Sequence, residues 1–190
     1  MSRVHTPSQT VGPFFHLGLQ KLDRSWLAPE GTPDREIITI HGKLFDADLN
    51  PVPDAQLEIW QPGPHGLDAT PSGTKQQLTA PHFSGFGRVP TNVQGEFHFT
   101  TIRPGPLPGP NGSLQAPHIV VLIFMRGLLK HLATRIYFPG DPRNDSDPIL
   151  LHVPVERRPT LVAVHRASRP NHFEWNILLQ GENETVFFDL

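Results

Sequence analysis

Eleven histidines and one tyrosine are the side chains of this 190-residue sequence best suited to hold a metal or move a proton. The histidines stand at positions 5, 16, 41, 65, 82, 98, 118, 131, 152, 165 and 172. No two are separated by two or four residues, so the sequence offers neither a strand H-x-H pair nor a helical HExxH arrangement. Cysteine is absent, which excludes zinc-thiolate, iron–sulfur and blue-copper centres built from this chain alone. A hard trivalent cation held by phenolate oxygens needs two tyrosines, and Tyr137 stands alone. A site assembled from histidines distant in sequence stays open beside the plainer reading, histidines on the surface or in the core.

The elements that must position these residues read as strands. Over 36–45, Ile38, Ile40 and Leu44 share one face by alternation, and over 55–60, Ala55, Leu57 and Ile59 do the same. The segment between them carries the acidic and proline chemistry of a turn. Residues 95–102 form the clearest half-buried strand, with Phe97 and Phe99 inward and Glu96 and His98 outward. The continuously apolar run 118–125 suits a central strand covered on both faces. Strands are also expected over 133–138, 160–166 and 172–180, the last lined by Phe173, Trp175, Ile177 and Leu179. Residues 61–85 read as a loop whose length points to function or an interface. Short helical turns fit 17–27 and 143–152. Residues 6–20 read as an extended arm; its Val11, Phe14, Phe15, Leu17 and Leu19 must pack on their own domain or on a partner.

Twenty-two prolines and sixteen glycines argue against long helices and for short strands joined by irregular loops. The expected fold is therefore all-β: a single-domain β-sandwich of about seven to eight strands over 1–190, with long Pro/Gly-rich loops and an N-terminal arm within 1–30. A net charge of -2 gives no footprint for nucleic acid or an anionic membrane. No run reaches the length of a membrane span, the N-terminus lacks an apolar leader, and the missing cysteine fits a cytoplasmic location.

Several motifs carry a resemblance. Thr101-Ile-Arg-Pro-Gly-Pro-Leu107-Pro-Gly-Pro, followed by Ala116-Pro-His118-Ile-Val120, resembles the core of the intradiol ring-cleavage dioxygenases. Pro51 to Gln61, Gly85-Phe-Gly-Arg88 and Gly95 to Pro106 follow in that family's order. The family binds ferric iron through two tyrosines and two histidines. Their positions fall here on Asp68, Leu107, His118 and Val120, and an arginine three residues before the first histidine falls on Gln115. Three of the four ligands and the nearby arginine are gone together, so the metal site is degenerate and this chain by itself is expected to bind no cofactor and to be inactive.

Both ends, Thr6 to Phe14 and Gly181 to Leu190, together with Phe124-Met-Arg126-Gly127, resemble the non-metal subunit of a two-chain member of the family. The resemblance implies a homologous β subunit that holds Fe(III), an (αβ)n assembly, and a small aromatic acid plus O2 as substrates. It also implies that Thr10, Gly12, Pro13 and Phe14 supply pocket wall and that Arg126 lies near the substrate carboxylate, for which an arginine fork is well shaped. The plainer readings are a solvated Arg126, a Thr10 that caps a bend, a His118 hydrogen-bonded for structure, an Asp68 that is an ordinary loop acid, and a core or interface role for Tyr137. A non-enzymatic carrier or free pseudoenzyme that binds small aromatic acids is the alternative function.

Overall fold

A computed structural model describes residues 6–12, 14–33, 36–66, 83–166 and 169–189. Two sheets face each other. The first is built on β1 (Ile37–Phe45), whose alternating burial follows the alternation of its sequence. β4 (Glu96–Ile102) pairs with it antiparallel, from Ile37 opposite Ile102 to Lys43 opposite Glu96. On the other edge β10 (His172–Glu174) and β11 (Ile177–Leu178) pair parallel to successive parts of β1. β9 (Val164–His165) closes that side against β10.

The second sheet is antiparallel throughout, in the order β3 (Phe86–Pro90), β2 (Gln56–Trp60), β7 (His118–Phe124), β8 (Leu132–Tyr137). A two-stranded hairpin of β5 (Leu107–Pro108) and β6 (Leu114–Gln115) leads into β7. Ile38, Ile40, Leu44, Phe97 and Phe99 from the first sheet pack with Leu57, Ile59, Val121, Ile123 and Ile136 from the second. Burying each such side chain contributes about 1.5–3 kcal/mol before chain entropy is counted. A smaller cluster of Ala116, Tyr137, Leu150, Val153 and Leu161 lies under the segment after β8.

The all-β expectation holds, with differences in detail. Eleven strands are found among the described residues rather than seven to eight, because several are only two or three residues long. β3 lies just past the expected loop; Gly87 dilutes its apolar signal, but a Cβ there would meet Leu27 Cδ1 at 2.8 Å. Of the strand expected over 160–166, only Val164–His165 form a strand, β9, while Thr160 and Leu161 end a 3₁₀ helix, Val155–Leu161. The strand expected over 172–180 breaks at Trp175–Asn176, where the indole is turned inward. The arm runs irregularly through 6–12 and then turns helical as α1 (Phe15–Leu19), so it is not extended throughout. Phe15 on the arm packs against Phe124, ring centroids 5.8 Å apart.

Candidate functional site

Cross-strand register sets His118 and Val120 on one face of the second sheet. Val120 stands opposite Trp60 on β2 and Arg135 on β8, and His118 stands opposite Tyr137. Further along the same face Leu122 and Phe124 follow Val120, with Phe86 and Arg88 beside Trp60 and Glu58. Leu107 is half-buried on β5, in register with Gln115. Asp68 lies outside the described residues.

A hydrogen-bond network occupies the degenerate ligand end of this face. His118 is 2% exposed, and its Nδ1 donates to the Ala116 carbonyl at 2.7 Å. Burial first, and then the nearby Arg135 guanidinium, pull its pKa down to about 4, so the ring is neutral. The Tyr137 hydroxyl donates to Asp147 Oδ1 at 3.1 Å, and burial holds the phenol well above its ordinary pKa. Arg135 Nη1 donates to Gln115 Oε1 at 2.8 Å and lies 3.4 Å from the Tyr137 oxygen. Asp147, fully buried, also accepts the backbone N–H groups of Ala116, Ile149 and Leu150 at 2.7, 2.9 and 2.8 Å.

These residues do not fit a ferric ion. Leu107 and Val120 offer no donor atom, the only phenol is kept protonated, and a guanidinium stands beside it. No group of three His, Asp or Glu side chains converges for metal binding among the described residues. Arg135, Gln115 and Asp147 were missed as network members from sequence. A buried acid in the 143–152 turn region was the one available signal.

The expected substrate-contacting residues meet at the other end. Thr10 Oγ1 accepts the Gly127 backbone N–H at 2.7 Å, tying the arm to the turn that carries Arg126. Gly127 adopts φ +93°, a conformation that favours glycine. Arg126 is exposed, and its Nε lies 3.2 Å from Asp54 Oδ2, a partner that sequence reading took only for part of a turn. The carbonyl of Gly12 accepts the Phe15 N–H at 3.0 Å, and the Phe14 side chain is 76% exposed. Pro13 lies outside the described residues. Thus Thr10 and Arg126 are brought to one corner, with Gly12 and Phe14 on the adjoining stretch of arm.

A third grouping forms on the opposite sheet. His41 stacks between His98 and His172, with ring centroids 5.8 and 5.6 Å away. None of these histidines was close to another in sequence.

The fold and the degenerate donor set define a dioxygenase-type chain: residues 11–181 match the family described as Dioxygenase, and the chain belongs to that family, in its intradiol branch. Members of this family use Fe(III). More particularly, the chain is homologous to both chains of protocatechuate 3,4-dioxygenase. It is 39% identical to the alpha chain of Burkholderia cepacia over 97% of each chain, and 34% identical to that of Pseudomonas putida over 97% of this chain and 96% of that one. It is 30% identical to the beta chain of Burkholderia cepacia over 82% of this chain and 69% of the relative. Among solved structures, a dioxygenase domain of a carbohydrate-binding fusion from Streptomyces sp. SirexAA-E superposes with a TM-score of 0.62 at 26% identity, covering 86% of this chain and 89% of that one.

Proposed function

We propose that this chain is the α subunit of a protocatechuate 3,4-dioxygenase. It completes the substrate pocket of a homologous β subunit, which holds the Fe(III). The assembled enzyme cleaves 3,4-dihydroxybenzoate with O2 to 3-carboxy-cis,cis-muconate. One observation carries the reading: at the family's ligand positions Leu107 and Val120 have no donor and His118 is bonded into a closed network, in a chain alpha-like along its whole length.

The division of labour follows from substrate chemistry. Both catechol oxygens go to the metal, so the ring and its carboxylate are left for other walls of the pocket. Arg126 offers a planar fork for the carboxylate, and Gly12 and the exposed Phe14 ring offer wall for the substrate ring. Thr10 holds the arm against the Arg126 turn. Support for an interface here comes from Trp60 and Phe14, which are 47% and 76% exposed on or beside this face. In this reading the chain orients the substrate and excludes water, while redox chemistry stays with the partner.

The test is co-expression with a homologous, tyrosine-bearing chain, followed by metal analysis and oxygen-uptake assay with 3,4-dihydroxybenzoate. The pair should co-purify, contain iron, absorb visible light through tyrosinate-to-iron charge transfer and consume oxygen; this chain alone should do none of these. A stable monomer that pairs with no such homologue and binds the acid by itself would favour a carrier instead.

A further inference from the structure

We propose that His41, His172 and Glu174 form a surface binding site for a first-row divalent cation, zinc foremost, on the outward face of the first sheet. The strand register builds the triad: on the parallel pair β1–β10, His41 stands opposite Glu174, and His172 stands opposite Thr39, one step along the same face. His172 Nδ1 lies 3.4 Å from His41 Nε2. Zinc bonds imidazole nitrogen at about 2.0–2.1 Å, so two nitrogens of a tetrahedral site lie about 3.3–3.4 Å apart. The ring atoms already stand at that spacing.

Protonation favours the site. Burial first, then the Arg166 guanidinium, hold His41 below its ordinary pKa, and burial with Arg169 does the same for His172. Both rings are therefore neutral, with lone pairs to give, at neutral pH.

The third donor is turned aside. Glu174 Oε2 faces Arg166 Nε at 3.6 Å, and its Oε1 takes a long 3.4 Å contact from Asn176 Nδ2. The two charged side chains are 50% and 47% exposed, so the ion pair contributes little and exchanges readily. This is why no three donors converge among the described residues as the side chains stand. Swung toward the histidines, Glu174 completes a two-histidine, one-carboxylate set with room left for water. The other groups facing the row are His98, the Lys43–Glu96 ion pair at 2.9 Å, and Arg169. Arg166 therefore opposes the cation twice, by its charge and by holding Glu174.

Zinc chloride titrated calorimetrically into the tag-free protein as purified, with its partner chain if the two co-purify, tests the site. One zinc per chain should bind beyond any the partner takes. His41→Ala and His172→Ala should each weaken that event about tenfold or more, and Glu174→Gln should weaken it too. Arg166→Ala should tighten it severalfold, by removing a positive charge and freeing Glu174. His131→Ala, just before β8, should leave it unchanged, and circular dichroism should confirm that each variant is folded. Absence of the event, its survival in His172→Ala, its loss in His131→Ala, or unchanged or weaker binding in Arg166→Ala would each overturn the proposal.

Discussion

Arg126 is exposed and pairs with the partly buried Asp54 carboxylate, so under the proposed function an incoming carboxylate would compete with Asp54 for the guanidinium. Within the assembled enzyme, Arg126→Ala should lower kcat/KM for 3,4-dihydroxybenzoate by about ten- to a hundredfold, the worth of a charge-assisted hydrogen bond. Iron content and the rate with unsubstituted catechol should hold. Equal loss on both substrates in a steady-state assay would make Arg126 structural. Thr10→Val removes the hydroxyl that accepts the Gly127 N–H while keeping side-chain volume, so it should weaken use of the same acid by loosening the arm. Motifs alone put Thr10, Gly12 and Arg126 forward together, and the fold brings Thr10 to the turn that carries Arg126. Asp54 was not legible, because an acid in a Pro-Asp turn has many possible partners and only the folded chain names one.

Among the elements, the link between β7, β8 and the 142–152 segment depends on one buried carboxylate. Asp147→Ala would leave three backbone N–H groups and the Tyr137 hydroxyl without their acceptor, so we expect a loss of about 3 kcal/mol or more in chemical denaturation. His118 adds a pH dependence. Its folded pKa of about 4 lies below the ordinary 6.5, so between those values the unfolded chain binds more protons. Stability is then fully present above about pH 6.5 and falls as pH drops toward 4, by up to about 3 kcal/mol. Denaturation midpoints at pH 7 and pH 4.5 should differ by clearly less in His118→Gln; an unchanged difference would remove His118 as the source. Sequence reading served the long strands well, since 36–45 and 95–102 alternate cleanly. It failed where a strand is short or glycine-bearing, as in β3 and the β5–β6 hairpin, because two to five residues carry too little periodicity to outweigh turn chemistry.

For the whole molecule, one face of the second sheet carries His118 and Val120 at one end and the arm corner at the other, with half-exposed apolar side chains between them. If that face meets the β subunit, a cation placed on it beside Arg135 would be buried next to a like charge. Val120→Lys should therefore weaken pairing by at least about a hundredfold, read by size-exclusion chromatography of the co-expressed chains. Val93→Lys, in the exposed turn before β4, should not. Undiminished pairing in Val120→Lys would move the interface elsewhere. No helix among the described residues is long and apolar enough to cross a membrane.

By itself the sequence determined the chemistry this chain lacks, since a missing cysteine, a missing second phenol and apolar residues at ligand positions are matters of composition and order that no folding can supply. Its alternating runs likewise set the all-β class, because side-chain alternation follows from strand geometry. Tertiary structure alone decided what surrounds His118 and which distant residues meet. Strand register sets Arg135 beside Val120, Asp147 under Tyr137 and three histidines in a row. Register and burial depend on packing across the whole chain, so they cannot be read from any local stretch of it.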